Sequence, residues 1–264
     1  MTKEQQTSPS KRRRGIYLLP NLFTTSALFA GFYAIVAAMG GDYAQAAVAI
    51  FIAMVLDGLD GRVARMTNTQ SEFGAEYDSL ADMVSFGLAP ALVMYEWSLH
   101  SMGKLGWLAA FIYTAGAALR LARFNTNIGT IDKRFFQGLP SPSAAAVLVG
   151  LVWVGHDYDI AGSQLQWLTL FVTTAIGILM VSNVRYYSFK DVDLKGKVPF
   201  FALLVVILIF VLVSIDPPQV LFGAALVYAL SGPLLTSWLL LRRRRQRRAA
   251  GDSAPDENDK PSGD

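Results

Sequence analysis

The sequence has no cysteine and only two histidines, His100 and His156. The first absence excludes disulfide frameworks, thiolate catalysis and cysteine-bound zinc. The second leaves too few imidazoles for a histidine-rich metal site, so a general base is expected to be a carboxylate. Charge is also scarce: 16% of the 264 residues are charged and 53% are hydrophobic, whereas soluble domains carry roughly 25% charged residues. That balance excludes an ordinary soluble domain. A net charge of +3 is too small for the pI near 9.1 to imply a nucleic-acid partner, so what matters is where the charges lie. No internal repeat is evident.

What the chain does have is apolar runs long enough to cross a hydrocarbon layer about 30 Å thick, which takes roughly 20 helical residues. The expected spans are 19–39, 43–65, 78–98, 105–123, 143–155, 165–182, 198–214 and 219–241. The fifth is short, and proline's tolerance in a first helical turn allows it to begin nearer Pro140. The expectation is an all-α, polytopic membrane helix bundle with about eight transmembrane helices. KRRR at 11–14 precedes the first run, and no small-residue cleavage site follows it, so that run reads as a retained span.

With the N-terminus inside and eight crossings, all but one of the 23 Lys and Arg residues fall on the inner side; only Lys104 lies outside. The positive-inside rule then supports both the even count and the orientation. A cytoplasmic-membrane protein with both termini cytoplasmic is expected. Residues 1–16 and the polar tail after the basic run are too poor in apolar groups to offset chain ordering, and read as disordered. LRRRRQRR at 241–248 directly follows the last span; it reads as a topology anchor or as a binder of anionic headgroups.

Acids are rare outside the tails, yet Asp57, Asp60, Asp78 and Asp82 cluster at the end of span two and the start of span three. An intramembrane carboxylate costs roughly 2.5 to 3.5 kcal/mol at a helix centre, so four of them imply a compensating function. At about 100° per residue, Asp57, Asp60, Gly61, Ala64 and Arg65 share an arc of roughly 140°, and Asp78 and Asp82 share one face of the next helix, extended by Ser85. A short connection through 66–77 makes the two helices antiparallel neighbours, so the carboxylates converge. Four such charges need cations. Oxygen ligands without His or Cys favour Mg²⁺, Mn²⁺ or Ca²⁺ over zinc, and a metal pair is suited to phosphoryl displacement. Gly58, Gly61 and Gly74 leave backbone bare where a nucleotide could approach, or allow close helix packing.

The stretch DGLDGRVARMTNTQSEFGAEYDSLAD, residues 57–82, reads Asp-x2-Asp-Gly-x2-Ala-Arg-x8-Gly-x3-Asp-x3-Asp. It resembles the signature of the CDP-alcohol phosphatidyltransferase family with no position departing. The resemblance implies six core membrane helices, to which the apolar runs add two at the C-terminus, together with a CDP-activated lipid donor, two divalent cations (Mg²⁺ or Mn²⁺), and transfer of a phosphatidyl group to an alcohol with release of CMP. It further implies Asp57, Asp60 and Asp78 as metal ligands, and Asp82 as both ligand and general base. Gly61 and Gly74 would lie against the cytidine nucleotide, Ala64 would keep the helix crossing close, and Arg65 would hold phosphate, for which a guanidinium is suited. PNLFTTS at 20–26 resembles the family's first span, where Asn21 and Thr24 would donate to donor phosphate or cap the helix.

Three further stretches, LRLARFN at 119–125, GLPSPSAAA at 138–146 and MVSNVRYYSFK at 180–190, resemble the phosphatidylserine synthase branch. The implied substrates are CDP-diacylglycerol and L-serine, with membrane lipids as surroundings, no nucleic acid, and a homodimer allowed. Serine's carboxylate needs a cation, and Arg120, Arg123 and Arg185 are available, with Asn125, Ser141 and Ser143 nearby in sequence. Topological anchoring also accounts for these arginines, and Tyr186 and Tyr187 read as interface anchors. The expected division is a core at 17–197, two added helices at 198–241, and a polybasic then polar tail at 242–264. Glycerol 3-phosphate, inositol or choline would be alternative acceptors. A metal or proton transporter would also use buried carboxylates, but would leave the glycine and arginine positions unexplained.

Overall fold

The computed structural model describes residues 18–126, 135–187 and 200–251. The expected basic arm at 1–16, residues 188–197 at the end of the expected core, and the tail beyond 251 lie outside the described residues.

Helix α1 (Leu18–Met39) and helix α2 (Tyr43–Thr67) are joined by a tight turn in which Gly41 has φ +85°. A connection this short makes them antiparallel neighbours. Their seam is almost all alanine: Ala27, Ala30, Ala34, Ala37 and Ala38 pack against Ala46, Ala47, Ala49 and Ala53, all buried. Apolar attraction between helices is weak in lipid, and small side chains compensate by letting backbones approach closely.

Helix α2 ends where Asn68 turns left-handed (φ 51°) and Thr69 N–H bonds the Ala64 carbonyl at 3.0 Å. Ser71 then caps helix α3 (Glu72–Asp82), its Oγ accepting from Gly74 N at 3.0 Å. The third helix therefore starts at Glu72 rather than at the expected 78, and the reversal is confined to 68–71. Paired C-cap and N-cap chemistry explains the compact turn. A π-helical segment, Met83–Leu88, follows directly and leads into helix α4 (Ala89–Trp97). It redirects Ser85, which is buried and donates to the Ala27 carbonyl at 3.1 Å instead of extending the acidic face.

Helix α5 (Lys104–Thr126) crosses helix α7 (Gln166–Val181) at Gly116 and Gly177, where a Cβ on either would collide with the other helix. Between them in sequence, helix α6 (Ser141–Asp157) begins immediately after Pro140, in line with the early start expected for the fifth span. It is buried along most of its length, packed by α2, α4 and helix α9 (Pro217–Gly251). Helix α8 (Phe200–Ile215) packs on α9.

The architecture is thus all-helical apart from a two-stranded antiparallel ribbon, β1 (Phe135–Gln137) with β2 (Arg185–Tyr187), in register Phe136 to Tyr186. Tyr186 is not an interface anchor, as the sequence suggested: it is fully buried and donates to the Ala229 carbonyl of α9 at 2.9 Å. The basic run at 241–248 continues α9 as helix to Gly251, three residues into the segment expected to be disordered.

Among the described residues, Leu19–Met39, Lys104–Thr126 and Pro217–Trp238 are long and apolar enough to cross a membrane, and Gln166–Val181 is a shorter apolar helix. Large apolar side chains such as Phe29, Phe111, Phe171 and Phe210 stand exposed, the surface of a protein solvated by lipid.

Candidate active site

The tight reversal at 68–71 sets the last turns of α2 beside α3. One carboxylate oxygen from each of Asp57, Asp60 and Asp78 lies within 4.8 Å of the other two. Asp82, one turn beyond Asp78, comes within hydrogen-bonding reach of Asp57, and Asp60 does the same with Asp78. The convergence expected from helical spacing is therefore present. Asp60 is only 5% exposed, and its carboxylate accepts from Thr24 Oγ1 at 2.7 Å and from the Gly61 amide. Carboxylates so close to one another repel unless a cation or proton lies between them. Their converging hard oxygens, drawn from two helices and partly withdrawn from water, could hold a metal.

Thr24 acts neither as a helix cap nor, in this arrangement, on an open surface. Helix α1 is already under way at Leu18, and the Thr24 hydroxyl is buried against Asp60. Asn21, one turn earlier, is half-buried beside Gly74, whose added Cβ would come 3.6 Å from Asn21 Oδ1. Gly58 and Gly61 are exposed, and a Cβ on either would meet nothing within 4 Å. Helix packing therefore does not account for them, whereas bare backbone beside the acids leaves room for a ligand. Ala64 is half-buried on the same arc, and Arg65 is exposed in the last turn of α2. Thr25 and Tyr77 bridge α1 to α3 through their hydroxyls at 2.9 Å.

The acceptor candidates separate into groups. Arg120 of α5 lies within electrostatic range of Asp82 and Asp57, and its guanidinium donates to Oγ of the fully buried Ser141 at 2.5 Å. Arg123 instead donates to the Val181 carbonyl at 3.1 Å and to Asn183 Oδ1 at 3.3 Å, closing the C-terminus of α7. Asn125 donates from Nδ2 to Ser79 Oγ at 3.0 Å, tying α5 to α3. Arg185 is exposed on β2, opposite Gln137. Ser143 is half-buried on α6. Of the residues named for serine, Arg120 and Ser141 are joined to each other at the acidic cluster.

Sequence reasoning did not single out Tyr113 or Tyr228, the two phenols within electrostatic range of Arg120. Tyr228 carried a usable signal: it falls in the middle of the expected 219–241 span, where a belt tyrosine would not.

Residues 17–175 match the family described as CDP-alcohol phosphatidyltransferase. The chain belongs to this family. The matched stretch contains all four site aspartates, so the family's metal dependence and the geometry of the acids coincide. The CDP-diacylglycerol–serine O-phosphatidyltransferase of Helicobacter pylori is 39% identical over 215 residues, covering 81% of this chain and 90% of that protein. The enzyme of the same name from Mycobacterium tuberculosis is 40% identical over 179 residues, 65% of this chain and 62% of that one. That of Bacillus subtilis is 32% identical over 172 residues, 65% of this chain and 91% of the relative.

Proposed function

We propose that this CDP-alcohol phosphatidyltransferase moves the phosphatidyl group of CDP-diacylglycerol onto the hydroxyl of L-serine, yielding phosphatidylserine and CMP in phospholipid biosynthesis. The observation that carries the reading is the meeting of Asp57, Asp60, Asp78 and Asp82 at one point, with Arg120 and Ser141 joined beside them. The relatives' shared activity supports serine as the acceptor.

Each residue then has a task. Two divalent cations, Mg²⁺ or Mn²⁺, bound by the four aspartates would neutralise the charge gathered there and polarise the phosphate oxygens. Asp82 takes the proton from the serine hydroxyl as the oxygen attacks phosphorus; the new P–O bond forms as the bond to CMP breaks. Thr24 and the Gly61 amide hold Asp60 in orientation. Gly61, Gly74 and Asn21 border the nucleotide, and Arg65 makes a bidentate contact to donor phosphate. Arg120, steadied by Ser141, receives the serine carboxylate. An apolar groove of about 580 Å³ between α1, α2 and Trp153 includes Phe29, Val48 and Leu56 and suits an acyl chain of the donor. Leu56, which lines the groove, precedes Asp57 in α2.

The proposed setting is the cytoplasmic membrane, crossed eight times with both termini cytoplasmic. Residues 17–197 form the catalytic core, α8 and α9 add to it, and the site opens to the cytoplasm.

The test is CMP release from CDP-diacylglycerol by the purified full chain in mixed micelles, with and without L-serine. Serine-dependent release with formation of phosphatidylserine is expected. Release driven by glycerol 3-phosphate, inositol or choline, and not by serine, would overturn the acceptor assignment.

A further inference from the structure

Helix α9 carries a proline in its interior, Pro233, which has no amide hydrogen to return to the carbonyl one turn earlier, that of Ala229. Ala229 is 2% exposed, and a backbone carbonyl so buried needs a partner from elsewhere. The Tyr186 hydroxyl of β2 supplies it, donating at 2.9 Å. Gly232, beside the proline, makes the approach possible, since a Cβ there would collide with the Tyr186 ring. Proline and glycine together thus open a gap in α9, and the fully buried Tyr186 fills it with ring and hydroxyl at once.

The strand that bears Tyr186 leads to Arg120 by bonded steps. Strand β2 pairs with β1, Phe136 opposite Tyr186. Just past β1, the Gly138 N–H bonds the Val184 carbonyl at 2.9 Å and the Leu139 N–H bonds the Leu179 carbonyl at 3.2 Å. Gly138 has φ +79°, and a Cβ on it would strike the Met180 carbonyl, so the chain passes hard against the end of α7 before Pro140 opens α6. Ser141, the first residue of α6, then accepts from the Arg120 guanidinium. A ribbon of two three-residue strands is marginal on its own. Its tie to the bundle through Tyr186 therefore bears on the whole segment that ends at Ser141.

We propose that Tyr186 is a positioning residue for the acceptor: locked into the Pro233 gap of α9, it fixes the β1–β2 ribbon and the turn at Gly138, and so sets where Ser141 holds the Arg120 guanidinium for the carboxylate of the incoming amino acid. This rests on the reading of serine as acceptor and of Arg120 as its carboxylate partner. Both halves of the lock, Tyr186 and Pro233, lie outside residues 17–175, the stretch that matches the family. Acceptor placement is thus completed from beyond that stretch, through hydrogen bonds that run without a break in the chain of contacts from α9 to α5.

The experiment compares the native full chain with Tyr186→Phe and with the double variant Tyr186→Phe/Pro233→Ala, measuring KM for L-serine, KM for CDP-diacylglycerol and the thermal unfolding midpoint in detergent. Tyr186→Phe keeps the ring but leaves the Ala229 carbonyl without its donor, so the midpoint should fall by roughly 2 to 4 °C. The serine KM should rise roughly 3- to 10-fold, within the worth of one neutral hydrogen bond, with the KM for CDP-diacylglycerol unchanged. Pro233→Ala returns an amide hydrogen to the same carbonyl from within the helix. The double variant should therefore regain the midpoint while its serine KM stays raised, because the ribbon is still unpinned; it is also the variant to read should Tyr186→Phe fail to fold. A serine KM that recovers together with the midpoint would reduce Tyr186 to a structural role and overturn the proposal, as would a parallel rise for both substrates. Native protein that shows no serine-dependent CMP release would overturn the serine reading, and this inference with it. Native activity with an unaffected serine KM in both variants would overturn this inference alone.

Discussion

Thr24 of α1 donates a 2.7 Å hydrogen bond to Oδ2 of Asp60 on α2, and both residues are about 95% buried. The first helix therefore takes part in the acidic site without supplying a charge to it. A hydroxyl in this position fixes one carboxylate oxygen and leaves the other to its neighbours.

Replacing Thr24 with Val keeps the shape and removes that bond. The apparent affinity for Mg²⁺ or Mn²⁺ should fall roughly 10- to 100-fold, as is typical when the partner of a metal-binding group is lost. Metal titrations of CMP release would measure it. Thr24→Ser, which retains the hydroxyl, should behave like the native protein.

Alanine at Asp57, Asp60 or Asp78 should abolish turnover while the protein remains folded. Each change also relieves repulsion within the cluster, so thermal stability should hold or rise. Chelation with EDTA should silence the native protein, and added Mg²⁺ or Mn²⁺ should restore it. A variant that keeps native activity in metal-buffered assays would remove its residue from the metal-binding set.

Asp82→Asn separates proton transfer from binding. An amide can still offer an oxygen to a metal but cannot take the serine proton, so turnover should drop about 10² to 10⁴-fold while CDP-diacylglycerol still binds. Equilibrium binding of donor lipid, measured beside kcat, decides; loss of donor affinity would make Asp82 mainly a ligand.

The two arginines at the end of α5 should behave differently. Arg120→Lys should raise the serine KM roughly 10- to 100-fold, because an ammonium loses the forked geometry. Arg123→Ala should instead lower stability by about 1 to 2 kcal/mol, through loss of its bonds to Val181 and Asn183. Kinetics with serine and serinol, together with thermal unfolding in detergent, would distinguish a substrate contact from a helix lock.

Sidedness is testable because native cysteine is absent. A cysteine at Gln70, exposed in the turn between α2 and α3, should react with an impermeant maleimide only from the cytoplasmic side. Asn68 is a poorer position, since its left-handed backbone disfavours other side chains. Labelling of Gln70→Cys from the opposite face would reverse the proposed topology.

Much of this protein was legible in its sequence, because lipid leaves little freedom. Apolar runs must become helices, and acids spaced at one helical turn must share a face, so the helix order and the meeting of Asp57, Asp60, Asp78 and Asp82 could be read before any coordinates. Turn chemistry at Asn68 and Ser71 moved the start of α3 to Glu72, and the π-helical segment turned Ser85 away from the acids; both depend on local hydrogen bonds that periodicity does not encode. The roles of Arg120 and Arg123 were still less accessible. They are identical residues three positions apart, and only their neighbours across the fold, Ser141 for one and the Val181 carbonyl for the other, distinguish them. The same holds for Tyr186, which sequence alone could not tell from a belt aromatic. Its burial was decided on α9, where the bare backbone of Gly232 leaves room for the ring and the Ala229 carbonyl receives the hydroxyl. Helical period is a property of the chain and can be read along it, whereas the partner that satisfies a buried polar group comes from elsewhere in the fold and is known only once the helices have packed.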